Sequence, residues 1–223
     1  MSQTMLMKKF VENTDDKLHC TQASLMMSWK ALTGKDLSMR EAETATGFRA
    51  GVETWPYGMI AWLGEQGAEV IHIDAMDPVA LAQDPRQELA RGGFDKSTIA
   101  YFYKISDFPS ESRAIKRALR TGNVRFQVEI PDVGDIPNYL DAGWLIIASV
   151  NATVLGGGDS QVFDGHVVVI HGYKDGHVTV QDPGPPPRQN YVIPLAQLKR
   201  ALQSPTESAG TLTLVRMKHE RPC

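Results

Sequence analysis

Apolar positions in the first half of the chain recur mostly at helical spacing, whereas those in the second half form short, nearly unbroken runs. Leu25, Trp29 and Leu32 fall at i, i+4 and i+7 with Met26 beside them, so the stretch after Cys20 predicts an amphipathic helix. In "DLSMREAETATG", Ser38-x-x-Glu41 has the form of a capping box and Gly47 that of a stop signal. "WPYGMIAWLGEQG" predicts another short helix and "AEVIHID" a strand. "DPVALAQDPRQELARGG" and "SESRAIKRALRTG" predict one helix each, both ended by glycine. The later segments "VRFQVEI", "GWLIIASV", "GHVVVIHGY", "HVTVQD", "QNYVIP" and "GTLTLVRM" are short, rich in β-branched residues and separated by Gly, Pro or Asp. Helices followed by strands predict an α+β fold in two layers, with N-terminal helices packed on an antiparallel β-sheet.

Composition narrows the function classes. With 223 residues and 42% apolar content the chain can bury a sizeable core, and residues 1–223 are read as a single domain. The net charge of −3 carries no basic footprint, so neither nucleic acid nor an anionic membrane is an expected partner. The opening "MSQTMLMKKFVENTDDK" lacks the apolar core of a secretory signal, and no apolar window is long enough to span a bilayer. Two cysteines, Cys20 and Cys223, make no disulfide framework, which predicts a reducing, cytoplasmic setting with Cys223 in an inert tail. No HExxH, paired CxxC or P-loop occurs, so no metal and no cofactor are expected. Gly156–Gly158 is too irregular for a phosphate loop and reads as the lead-in to His166. Oligomeric state is not legible.

The chemistry centres on Cys20. A helix start presents unpaired N–H groups and the positive end of the macrodipole, and both favour an anion. There, beside a protonated histidine, a thiol pKa can fall from about 8.5 to roughly 3.5–7.5, and the same N–H groups can hold an oxyanion. A buried structural cysteine is the competing reading, and Asp15 and Asp16 would oppose a thiolate if they pointed at it. Among the histidines, His19 adjoins Cys20 but neighbours on a helix do not face each other. His72, His171, His177 and His219 fall in strands, a turn flank or the tail. His166 opens the most apolar strand, at a strand end expected near solvent. If Lys174–Gly176 form a three-residue loop, Asp182 falls opposite Val168 and on the face of His166, where a carboxylate can orient an imidazole. A two-residue Asp-Gly turn moves Asp182 to the other face unless a bulge intervenes. Asp182, followed by Pro183 and Gly184, also reads simply as the start of a turn.

"HCTQASLMM", "GWLIIASVN" and "GHVVVIHGYKDGHVTVQDPG" together resemble the papain-like cysteine peptidases of the C39 and C39-like group, strongly over residues 13–32 and 143–184. In that group a Cys begins the first long helix, and an Asp-Pro follows the hairpin His by sixteen residues, the spacing of His166 and Asp182. The resemblance implies a papain-like cysteine protease fold with Cys20 as nucleophile, His166 as base and Asp182 as orienter. It implies a cysteine hydrolase, a peptidase or amidase working through a thioester acyl-enzyme on a peptide or a small amide or ester. An acyltransferase using the same triad, or a catalytically weak binding protein of the same fold, are the alternatives. The chain departs from the group at Cys20-Thr21-Gln22, where Cys-Gly-Pro or Cys-Gly-Gln is usual. It departs again at Thr14, the position of the group's oxyanion-hole Gln. Asn13 is then the side-chain candidate for the oxyanion hole, with the backbone N–H of Cys20. Trp55 and Tyr57 are candidates to line a substrate cleft, although core packing accounts for either equally well. No ATP-binding module follows, so a leader peptidase fused to an exporter is not expected.

Overall fold

The protein, a computed structural model, is described over residues 5–160, 162 and 164–218; His219 and Cys223 lie outside that range. The described elements run α1 (Cys20–Thr33), α2 (Met39–Thr46), α3 (Tyr57–Glu65), β1 (Ala68–Asp74), α4 (Pro78–Gln83), α5 (Pro85–Arg91), α6 (Lys96–Ile105), α7 (Phe108–Arg120) and β2 (Val124–Val128). A 3₁₀ turn (Val133–Asp135) leads into α8 (Ile136–Asp141), β3 (Leu145–Asn151), α9 (Ala152–Leu155), β4 (Gly165–Lys174), β5 (His177–Asp182), β6 (Arg188–Pro194), α10 (Leu195–Leu202) and β7 (Thr211–Met217).

Local signals hold where neighbours in sequence supply the partners. Ser38 caps α2 and Glu41 returns the bond to the Ser38 N–H, with Gly47 left-handed at the other end. The single helix predicted across "DPVALAQDPRQELARGG" is two, α4 and α5. Asp84 accepts from the Gln87 N–H and Pro85 follows it, so a second helix start interrupts the first. Helices α6, α8, α9 and α10 add to those predicted.

The strands form one seven-stranded sheet in the order β2-β1-β7-β3-β4-β5-β6. It is mixed, correcting the expectation of an antiparallel sheet: β1 and β2 pair in parallel and the other neighbours are antiparallel. The reason is the long excursion through α4–α7, which returns the chain to the starting end of β1, as a parallel pair requires. The two-layer expectation is also corrected. Residues of α1–α7 bury Val70, Ile147, Val167 and Val215 on one face of the sheet, while α8–α10 bury Ile71, Ile146, Val168 and Leu214 on the other. Both strand parities are therefore apolar, which is why "LIIASV" and "HVVVI" do not alternate.

Helix α1 lies in the middle of the first of these layers. Every residue from Thr21 to Trp29 is buried, so the helix is buried all round over these two turns and more, beyond the one apolar face its spacing predicts. Nearby, α3 crosses the end of α2 so closely that a Cβ on Gly58 would stand 2.0 Å from the Thr46 carbonyl oxygen. Because that obstacle is backbone, Gly58→Ala is expected to cost about 1–3 kcal/mol or more, read as a lowered thermal midpoint.

Candidate active site

Polar residues around Cys20 explain how it is held. Thr21 Oγ1 donates to the Thr54 carbonyl, and Gln22 Nε2 donates to Thr46 Oγ1 and Thr54 Oγ1. One turn after Cys20, on the same face of α1, Ser24 Oγ donates to the Val167 carbonyl at 3.2 Å. This bond fixes α1 against β4 at the residue after His166. The loop before α1 is fixed to the strand end that bears Asp182. Asn13 N–H donates to the Pro183 carbonyl at 2.9 Å, and Asn13 Nδ2 donates to the Gly184 carbonyl at 3.0 Å. Asn13 Oδ1 accepts from the Thr14 and His19 N–H groups and closes the loop.

Cys20, His166 and Asp182 meet as a result. Asp182 Oδ1 lies 2.7 Å from His166 Nε2, and Cys20 lines the same cleft as His166, so Nδ1 is the ring nitrogen left for the thiol. His166 is only 8% exposed, not near solvent as expected of a strand end. The hairpin geometry is a combination that neither simple loop supplies. Lys174 pairs with His177, so the turn is the two-residue Asp175-Gly176, with φ of 49° and 77°, not the three-residue loop expected. A bulge at His171 then shifts the register by one and sets Val169 opposite Gln181, which returns Asp182 to the face of His166. His171 is itself held by the N-terminal segment, through hydrogen bonds with Met5 N–H and carbonyl.

Electrostatics favour a charged pair. Burial alone would lower the His166 pKa, but the hydrogen bonds and charges of Asp182 and Cys20 outweigh it and raise the pKa from 6.5 to about 9. Asp182 is 1% exposed, and burial would raise its carboxyl. His166, the Gly184 N–H and Arg188 instead hold it below its ordinary value. Arg188, paired with Asp182 across β5 and β6, donates Nε at 2.9 Å and Nη2 at 2.6 Å to Oδ2. The one sequence signal for this fourth residue was a cation returning just after the proline-rich turn.

Other site candidates fall in different places. His19, buried, has Nδ1 2.6 Å from Thr14 Oγ1 and Nε2 3.0 Å from Glu43 Oε1. Asp16 accepts from Thr14 Oγ1 and the Leu18 N–H, and these bonds lower its pKa. Thr14 is thus turned to Asp16 and His19. The expectation that Asn13 supplies an oxyanion donor meets a different geometry: its Nδ2 faces Gly184, and Asn13 does not line the cleft beside Cys20. Position in sequence gives no direction for an amide. The α1 N-cap, His19, makes no side-chain capping bond, which leaves the first-turn N–H groups of α1 uncapped by a side chain.

A cleft of about 120 Å³ opens beside Cys20 and His166. Trp55 is half-buried in its wall, with Nε1 donating to Ser106 Oγ and its ring T-shaped against Phe102 and Phe108. Tyr57 also lines the cleft yet is completely buried, so it is core as much as wall. Glu53, Asp74 and Lys17, which the sequence did not single out, line it as well. Among the described residues no helix is long and apolar enough to cross a membrane.

No protein-family model matches the sequence, and no curated protein does. Solved structures are similar to it. The peptidase domain of Streptococcus ComA, a bifunctional ABC transporter involved in a quorum-sensing pathway, is 11% identical, with a TM-score of 0.49 over 94% of this chain and 98% of that one. A double-glycine-motif protease from an AMS/PCAT transporter, in complex with the leader peptide, is 14% identical, with a TM-score of 0.48 over 98% and 99%. A protein from Bacillus anthracis assigned to the C39-like peptidases is 13% identical, with a TM-score of 0.49 over 98% and 99%.

Proposed function

We propose that this chain, acting as one C39-like domain in a reducing compartment, is a cysteine hydrolase that cuts an amide or ester bond of a peptide or small substrate. The observation that carries this reading is the His166 imidazole, 2.7 Å from the buried Asp182 carboxylate and lining one cleft together with Cys20 at the start of α1. With the proton already held on His166, Cys20 Sγ attacks the carbonyl carbon, forming a C–S bond and an oxyanion. The Cys20 N–H at the uncapped start of α1 receives the oxyanion. His166 returns the proton to the leaving nitrogen or oxygen as that bond breaks, leaving a thioester. Water, deprotonated by His166, then releases the acid and restores the thiol. Asn13 acts by fixing the loop that aims α1.

Screening peptides and activated esters by intact mass tests this. A substrate should add its acyl mass at Cys20 and lose it on standing in water. An acyl-enzyme that discharges only to an added amine would replace hydrolysis by acyl transfer, and no adduct with any substrate would favour a binding role.

The raised His166 pKa sets a pH limit. Protonation of an amide leaving group needs the imidazolium, so kcat/KM should fall as pH rises through about 9. Stability contributed by the same pair is fully present below the ordinary value of 6.5 and lost as pH rises through about 9. In Asp182→Asn the falling limb should move to lower pH. A limb that stays in place would mean that another group sets it.

A further inference from the structure

The cleft has a polar chemistry that the proposed triad does not use. Val167, Ser149 and Thr211 lie side by side in register across β4, β3 and β7 and all line it. Thr211 is 6% exposed, and its Oγ1 has no hydrogen-bond partner. Asp74, at the end of β1 and 2% exposed, shares the cleft face with Thr211, since β1 and β7 are paired with His72 opposite Thr213. Its Oδ1 accepts from the Met76 N–H at 2.8 Å. Its Oδ2 has only long contacts, 3.5 Å to Tyr57 Oη and 3.6 Å to His72 Nε2. Glu53 lines the same cleft, where burial and the neighbouring Asp164 raise its pKa to about 7. The surrounding walls are aromatic and aliphatic, chiefly Trp55, Phe102 and Met76. Besides His166, the cationic side chain among the described lining residues is Lys17, which is exposed.

Carboxylates and hydroxyls in an apolar slot call for a ligand with several N–H donors and a positive charge. An anion would meet Asp74 and Glu53 together. Neither carboxylate belongs to a group of three side chains able to hold a metal ion among the described residues. We propose that the cleft is a subsite for an ammonium or guanidinium group on a short apolar stem. The stem lies against Trp55 and Phe102, and the cation reaches Asp74 and Thr211 with Glu53 beside it. That this cation belongs to the substrate rests on the cysteine-hydrolase reading; the binding itself does not.

Matched alkylating probes test the subsite on the full chain. N-(4-aminobutyl)bromoacetamide, N-pentylbromoacetamide and N-(3-carboxypropyl)bromoacetamide are compared at Cys20 by mass spectrometry, each rate divided by that of bromoacetamide. The ammonium probe should exceed the pentyl probe by about 10–100-fold, the size of one charge-assisted hydrogen bond, with the carboxylate slowest. Glu53→Gln and Asp74→Asn should each reduce that preference, and Glu53→Gln alone serves if the buried Asp74 variant fails to fold. A pentyl probe that reacts as fast, or a preference unchanged in the folded variants, overturns the subsite. If bromoacetamide itself modifies Cys20 no faster than a model thiol, the hydrolase reading fails. The subsite is then judged by n-butylguanidinium, which should raise the thermal midpoint of the wild type more than that of Glu53→Gln. An equal shift, or none, overturns it.

Discussion

Cys20→Ala is expected to reduce turnover of any substrate found by acyl trapping by roughly 10⁴–10⁶, because members of such a unit fail together when the nucleophile is lost. The protein should remain folded. Cys20 is half-buried at the start of α1, and its neighbours Thr21, Gln22 and Ser24, not the thiol, make the bonds that seat the helix. Its stability should therefore change by less than about 1 kcal/mol. Steady-state kinetics and thermal unfolding on one preparation separate the two effects. Iodoacetamide supplies an independent check, since Cys223 is the one thiol left in the variant and the lost labelling belongs to Cys20. His166→Ala should cost activity about as severely. Turnover that survives at more than a few per cent in either variant would place the chemistry elsewhere.

Asp182→Ala should damage both activity and stability, which distinguishes it from Cys20→Ala. The carboxylate accepts from His166 Nε2, the Gly184 N–H and two nitrogens of Arg188. Removing it leaves the guanidinium and the imidazole without their shared anion in a site that is almost dry. Breaking a buried pair in this way costs about 3–5 kcal/mol. For a chain of this size that lowers the thermal midpoint by roughly 6–20 °C. Asp182→Asn keeps an oxygen that can accept from the imidazole, so it should lose less activity and less stability. Equal losses in the two variants would mean that the charge, not the orientation of the ring, is what matters at this position.

Features that depend on near neighbours were legible in the residues alone. The Ser38–Glu41 box, the Gly47 stop, strand β1 from Ala68 to Asp74 and the helix beginning at Cys20 all rest on groups within about four positions of each other. The break between α4 and α5 was written in the same language, as Asp84 before Pro85. Period and capping act over one or two turns, so they survive without any tertiary partner.

What escaped that reading depends on contacts between distant segments. The polar residues of α1 are buried because their partners, Thr46, Thr54 and Val167, come from elsewhere in the chain, which the helical spacing does not record. The parallel β1–β2 pair follows from a four-helix excursion, and the second helical layer from α8–α10, none of which the strands themselves record. The site turns on the same distinction. The sixteen-residue interval put His166 and Asp182 on one hairpin, but the two-residue turn alone would have set them on opposite faces. A bulge at His171 restored them to one face, and Arg188 arrived from the next strand to hold the carboxylate. Sequence by itself determined which residues were available and which element each would occupy. Tertiary structure decided which of them face one another, because strand parity, helix docking and burial are settled by packing between segments far apart in the chain.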